Sequence, residues 1–206
     1  MRTDILTQKQ KSALALLKDA PEVGKFYLAG GTALALHLGH RYSKDFDFFT
    51  SQDFDGEILV QGLEQRGACE NVRQRPKTLF LDFDAIQCSF IFYQYPLLDV
   101  PSPAPWGFDL VTVREIGAMK IMAIGGRGRK RDFVDLYFIA RDLGIEKVWQ
   151  DFTAKYAGTG YDSYHFLRAL TFFNDAEKED LPEMIAPVDW NSAKKFFESE
   201  VKKIAP

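Results

Sequence analysis

Cysteine is scarce in this chain. Cys69 and Cys88 are the only two, too few for a disulfide framework and without the CxxC spacing of a zinc site or redox motif, so both are expected as small core residues. Long hydrophobic runs are lacking as well. The N-terminal stretch MRTDILTQKQKSALALLKDA carries only the short apolar run Ala13 to Leu17, less than a signal peptide's apolar core and far less than a bilayer span, and the expectation is a cytoplasmic protein with no membrane partner. Charge of one sign is not in excess. With 26 Lys+Arg against 29 Asp+Glu and a formal net charge of −3, the chain is not built to coat nucleic acid by bulk electrostatics, so any such contact must be local. Neither GxGxxG nor GxxxxGK[ST] occurs, which excludes Rossmann and P-loop readings. No serine sits in a GxSxG elbow and neither cysteine has a catalytic setting, so covalent hydrolase chemistry has no support. His37, His40 and His165 make no metal-ligand pattern, and are expected as structural or cleft-lining residues. No internal repeat or low-complexity tract is present.

What remains is the composition of a folded protein. The chain has 206 residues, 46% of them hydrophobic and 27% charged, enough for two lobes sharing a cleft. Residues 4 to 19 read as an amphipathic helix ending before Pro21, with Ala13, Leu14, Leu16 and Leu17 inward. KFYLAGG, from Lys25, reads as a short buried strand broken by Gly30 and Gly31, and TALALHLGH as a helix opening at Thr32, a capping residue type. DFDFFT alternates with the period of a half-buried strand. A helix is expected near residues 54 to 66, and KTLFLDFDAIQCSFIFYQYPLL reads as a hairpin turning at Asp84 and Ala85. VPSPAPWG, residues 100 to 107, reads as a stiff connector and lobe boundary. The lobes are accordingly expected over residues 1–105 and 106–206. TVREIGAMKIMAIGGRG reads as a helix with Thr112 and Glu115 at capping-box spacing and a stop at Gly125 and Gly126. RDFVDLYFIARDLG is a second helix, with Phe133, Leu136, Tyr137 and Ala140 on one face, and two more are expected over 162–174 and 191–204.

The residues able to carry chemistry fall in four places. Asp45 and Asp47, at i and i+2, would project from one face of a strand while Phe46 and Phe48 point into the core, which suits a pair of magnesium ligands or, more blandly, a solvated strand face. Gly30, Gly31 and Thr32 lie at a strand-to-helix junction, where free backbone N–H groups can receive phosphate, although a Gly-Gly turn alone is commonly only a tight turn. Lys120 sits between Ile116 and Ile124 on an apolar helix ridge, either snorkelling or reaching a triphosphate. Arg127, Arg129, Lys130 and Arg131 form a basic cluster followed by Asp132 and Asp135, which are expected on a face other than the apolar one. That cluster is a solvated loop or a contact for phosphate or RNA backbone, with Asp132 or Asp135 holding Lys120, a metal or the acceptor hydroxyl.

GGTALAL, HRYSKDFDFF, AMKIMAI and RKRDFVDLYFI, in that order across residues 26 to 140, resemble the AbiEii/AbiGii toxin family of nucleotidyltransferases, part of the polymerase-beta-type superfamily. The resemblance implies an α+β fold, with a mixed-sheet nucleotidyltransferase lobe and flanking helices followed by a mostly helical lobe that completes the cleft. It implies that Gly30, Gly31 and Thr32 hold the triphosphate, that Asp45 and Asp47 hold Mg²⁺, and that Lys120 and the basic Arg131 contact the nucleotide, with Asp132 and Asp135 as further catalytic carboxylates. It implies transfer of a nucleoside monophosphate from NTP to an acceptor hydroxyl, plausibly on RNA or tRNA, by the toxin of a toxin–antitoxin or abortive-infection pair, with a cognate antitoxin as partner. One departure stands out: the superfamily commonly places a third carboxylate on a later strand, where this chain has Ser89, with Asp82 and Asp84 on the strand before. Ser89 therefore keeps two alternatives open, a catalytically inactive nucleotidyltransferase-fold binding module and an RNA-binding protein without catalysis.

Overall fold

The computed structural model describes residues 1–204. By internal packing the chain divides into two units, one of residues 1–96 and 100–112 and one of residues 97–99 and 113–206. No helix among the described residues is long and apolar enough to cross a membrane.

The first unit is a mixed sheet with helices against it. A short 3-10 helix (Thr3–Ile5) precedes α1 (Gln8–Lys18). The single helix expected here is interrupted because Thr7 acts as N-cap, its hydroxyl accepting from the Gln10 N–H while the Gln10 side chain accepts from the Thr7 N–H, a capping box that satisfies two otherwise unpaired donors. Strand β1 (Tyr27–Ala29) then leads into α2 (Gly30–Leu38). That helix begins at Gly30, two residues before the expected start, so Thr32 does not cap it. The Thr32 hydroxyl instead donates to the Asp45 carbonyl at 2.5 Å, pinning the helix to the segment entering β2 (Phe46–Thr50). Phe46 and Phe48 are fully buried, as their alternation requires.

Helix α3 (Gly56–Glu64) is capped by Asp55, whose carboxylate accepts from the Glu57 and Ile58 N–H groups. Next come β3 (Cys69–Arg75), β4 (Thr78–Phe83) and β5 (Ile86–Phe92). β4 and β5 form the expected hairpin, and its turn residues Asp84 and Ala85 both take positive φ, the geometry of a type I′ turn matched to strand twist. β3 has no clear alternation in sequence and runs along the exposed edge. The proline-containing segment contributes β6 (Ser102–Pro103) and β7 (Asp109–Leu110) to this unit. The strand order is β3-β4-β5-β2-β1-β7-β6. β2 is antiparallel to β1 and parallel to β5, and β7 is parallel to β1, so the sheet is mixed, as the α+β expectation required.

The second unit is helical. It comprises α4 (Val113–Arg127), α5 (Lys130–Leu143), α6 (Ile145–Lys155), α7 (Ser163–Ala169) and α8 (Trp190–Ile204). α6 was not expected, and α4 runs through Gly125 and Gly126 rather than ending at them. The glycine at 125 is there for packing, since any side chain would collide with the Phe166 ring. The Glu115 carboxylate, expected in a capping box, accepts from the Leu98 N–H at 2.9 Å and pairs with the buried Lys155. Arg114 ties Asp99 to Asp151 at 2.9 and 2.6 Å. α5 is buried on more than one face, with Asp132, Phe133, Val134, Asp135 and Leu136 all inaccessible to solvent.

Candidate functional site

The junction of β1 and α2 is built around Asp47. The antiparallel register sets Ala29 opposite Asp47, so the chain turns into α2 directly over that carboxylate. Gly30 has φ +67°, and a Cβ there would collide with the Asp47 carboxylate. Both facts demand glycine, one through backbone conformation and the other through space. Gly31 is required for a different reason, because a Cβ there would strike the Arg41 guanidinium and come within 3.2 Å of the Ser43 hydroxyl. The first turn of α2 is thus held between an anion and a buried cation. Arg41 is 4% exposed and donates to the Tyr42 carbonyl at 2.9 Å.

On its other side Asp47 meets β5. The parallel register places Ser89 beside it, and the Ser89 hydroxyl donates to Asp47 Oδ1 at 2.6 Å. Asp82 and Asp84 serve elsewhere: Asp82 accepts from the Asn71 amide at 2.5 Å and Asp84 from the Ala68 N–H at 2.9 Å. Asp45 precedes β2 and is half-buried, as is Asp47. The structure therefore brings Gly30, Gly31, Thr32, Asp45 and Asp47 together within the first unit, each through a specific contact or register. It adds Arg41, Ser43 and Ser89. A buried arginine in HRYSKD carries no signal in sequence that separates it from an ordinary loop cation.

Donor chemistry decides whether this corner suits a magnesium ion. Among the described residues no group of three or more His, Cys, Asp or Glu could hold a metal ion, so there is no standing protein cage. Mg²⁺ is commonly held by one or two carboxylates with waters and substrate phosphates completing the shell. Asp45 and Asp47 supply two carboxylates at this corner, a number compatible with such an ion.

The second cluster lies on α4 and α5. Lys120 is buried, its Nζ 2.8 Å from Asp132 Oδ1 and 2.6 Å from Asp135 Oδ2. Arg127 donates through Nε to Asp132 Oδ2 at 2.8 Å and through Nη2 to Oδ1 at 3.1 Å. Burial alone would raise the Asp132 carboxyl, but the Lys120 and Arg127 charges outweigh it and hold it below the usual carboxylate range. Asp132 and Asp135 thus hold Lys120, one of the roles the sequence left open for them, and they lie buried because cations from α4 neutralise them. Lys120 neither snorkels nor projects freely. The adjacent basic run is also largely engaged: Lys130 is buried beneath the Trp190 ring at 5.3 Å, Arg129 lies 3.8 Å from Glu179, and Arg131 is half-buried.

The remaining candidates are inert. His37 Nε2 lies 2.7 Å from the Val111 carbonyl, and burial pushes its imidazole down. Burial pushes the Cys69 thiol up to about 11 and raises Cys88 further, which leaves no thiolate to attack.

Comparison with known proteins follows this geometry. The family model described as "Nucleotidyl transferase AbiEii toxin, Type IV TA system" matches residues 12–205. An uncharacterized protein of Aquifex aeolicus, aq_aa25, is 34% identical over 201 residues, 96% of this chain and 97% of the relative. Among solved structures, MenT4, a nucleotidyltransferase toxin from Mycobacterium tuberculosis H37Rv, superposes with a TM-score of 0.52 at 20% identity, covering 95% of this chain and 82% of that one. A putative nucleotidyltransferase from H. pylori gives 0.50 at 14% identity over 97% and 96%. The two structures speak to the fold.

Proposed function

Because the chain belongs to the AbiEii nucleotidyltransferase toxin family, we propose that it transfers a nucleoside monophosphate from an NTP to an acceptor hydroxyl on RNA or tRNA, in the cytoplasm. The observation that carries the reading is the collision a methyl group at Gly30 would suffer against the Asp47 carboxylate. A backbone stripped of side chain, at a helix N-terminus, directly over a half-buried aspartate, is the arrangement in which a phosphate chain and its counterion can be held together. In this reading the N–H groups of Gly30 and Gly31, with Thr32 fixing the turn, receive the triphosphate. Arg41 supplies a fixed positive charge at that turn. Asp45 and Asp47 hold Mg²⁺, which when bound neutralises phosphate charge and lowers the pKa of the attacking hydroxyl. Lys120 and Arg131 are assigned to the nucleotide, and Asp132 and Asp135 to holding Lys120 in position. The acceptor hydroxyl gives up its proton to water as its oxygen attacks the α-phosphorus, the bond to the β-phosphate bridging oxygen breaks, and pyrophosphate leaves with its charge met by the Gly30 and Gly31 N–H groups and Arg41. As a type IV toxin–antitoxin component, the chain has a cognate antitoxin as the implied partner.

The test incubates purified protein with labelled NTPs, Mg²⁺ and total RNA, beside Asp47→Asn. Label enters RNA with the wild type, and the substitution lowers incorporation by about a hundredfold or more, the usual scale for loss of a group that stabilises transition-state charge. Equal labelling by both proteins would overturn the assignment of Asp47. Ser89 at the register of Asp47 favours a second reading, a binding module on the same fold. That reading predicts no incorporation together with a Mg²⁺–NTP-dependent rise in melting temperature, since a ligand bound only by the native state stabilises by mass action.

A further inference from the structure

The second unit contains a cavity of about 610 Å³ to which the chemistry above assigns no role. Its floor is the last turn of α4, where Gly125 and Gly126 present bare backbone. A Cβ on Gly126 would meet no atom within 4 Å, so packing does not demand glycine there. Its wall is α7 and the turn that follows, which present Tyr164, Arg168 and Phe172. Tyr164 is 66% exposed and Phe172 56%, so the same wall presents two aromatic faces to solvent. His165 ties wall to floor, its Nε2 lying 2.9 Å from the Gly125 carbonyl.

The charges around the cavity are mostly spent. Asp162 caps α7 by accepting from the Tyr164 N–H at 2.9 Å, Asp175 is bound by Lys178 at 2.8 Å, and Arg127 is committed to Asp132. Arg168 differs. Its guanidinium lies over the Tyr164 ring at 5.7 Å, and no carboxylate pairs with it among the described residues.

We infer that this cavity binds the single-stranded end of an RNA acceptor, with unpaired bases stacked on Tyr164 and Phe172 and a backbone phosphate on Arg168. The inference rests on the reading that the acceptor is RNA. Aromatic faces take any base without reading its edge, and a planar guanidinium matches phosphate oxygens. The volume falls among ligand-binding pockets, about 300 to 1,000 Å³. Arg127 belongs both to this wall and to the Asp132–Lys120 cluster, so an RNA end held here lies beside the residues assigned to the nucleotide. Because one arginine carries the unspent charge, stacking supplies more of the affinity than electrostatics.

The experiment measures fluorescence anisotropy of a labelled single-stranded oligoribonucleotide with the full chain. Tyr164→Ala and Phe172→Ala each weaken binding by about tenfold, the scale of one lost base stack. Arg168→Ala weakens it and reduces the slope of log affinity against log salt by about 0.7. Gly126→Leu, which alters no charge and suits a helix, fills the floor and weakens binding while leaving melting temperature unchanged or raised. The melting-temperature shift produced by Mg²⁺ and NTP is the same in all four variants as in the wild type. Wild-type RNA affinity in these variants, or no salt-sensitive RNA binding by the wild type, overturns the inference. It is equally overturned if the substitutions abolish capture of the purified cognate antitoxin but spare RNA affinity, since the cavity is then a protein interface. The transferase reading fails by a different result, absence of incorporation by the wild type, which leaves the binding measurements intact.

Discussion

Asp47 in the first unit and Asp132 in the second are both carboxylates placed by regular secondary structure, but their surroundings differ in kind. Asp47 is half-buried, faces a glycine backbone, and receives a neutral hydroxyl from Ser89. Asp132 is wholly buried and receives two cations, Lys120 and Arg127. The first carboxylate has a neutral hydrogen-bond donor and a bare backbone as its neighbours, and no cation pairs with it among the described residues. The second is already neutralised, and its desolvation is offset by partners within the protein. For Lys120 to reach a phosphate it must share or leave two carboxylates that hold it at 2.8 and 2.6 Å. The lesson is that a conspicuous lysine on an apolar ridge and a conspicuous aspartate in a strand are different kinds of evidence. The burial of the lysine is accounted for by two carboxylates within its own unit, whereas the aspartate has no cationic partner among the described residues.

That contrast is broken most severely at Lys120. Lys120→Met keeps the length of the side chain but strips the shared cation from two buried carboxylates, and the expected loss of stability is about 3 to 5 kcal/mol in urea unfolding. A loss below about 1 kcal/mol, with turnover abolished, would make Lys120 a ligand-directed residue like those of the first unit. Gly30→Ala comes next. It forces a positive φ on alanine and a methyl group against the Asp47 carboxylate, so a cost of about 1 to 3 kcal/mol is expected by the same measurement. In the transferase reading nucleotide incorporation falls far more than stability does, because the methyl group displaces both the turn and the Asp47 carboxylate on which the proposed triphosphate site is built. Stability and incorporation falling in proportion would show that the glycine serves only the fold.

Much of the first unit was legible because its signals are local. The Asp84–Ala85 turn, the burial of Phe46 and Phe48, and the meeting of Gly30 with Asp47 all follow from period-two alternation and from a strand-to-helix junction whose order along the chain matches its order in space. What stayed hidden depended on distant partners. The hold of Asp132 and Asp135 on Lys120 was among the roles left open in sequence, but their complete burial was not, since it depends on Arg127 as well. Arg41 and Arg168 carry no distinguishing mark in sequence, and only the structure places the glycine turn beside one and the exposed tyrosine beside the other. Helix boundaries differ at Thr7 and Gly125 for a related reason: a local stop or start rule was overridden by a capping box inside the expected helix and by the Phe166 ring.

The smallest expected effect, at Ser89, separates the two readings of the first unit most finely. Its hydroxyl occupies the place on β5 where the resemblance anticipates a carboxylate, and it is bonded to Asp47 Oδ1 at 2.6 Å. If Ser89 holds Asp47 in the orientation that meets the ligand, Ser89→Ala costs about 1 kcal/mol of stability, the net worth of one hydrogen bond to a partly exposed group. It lowers incorporation by about tenfold, chiefly through kcat, because a wandering carboxylate weakens transition-state more than ground-state interactions. Ser89→Asp then distinguishes a replaced carboxylate from a surrendered one. Two acids side by side on neighbouring strands repel each other in the absence of a cation and draw together around one. In the transferase reading this variant loses stability without Mg²⁺, regains it when the ion is added, and binds the ion more tightly than the wild type. Unfolding that stays equally weakened with and without the ion would mean that the corner is shaped for a hydroxyl contact rather than for a metal.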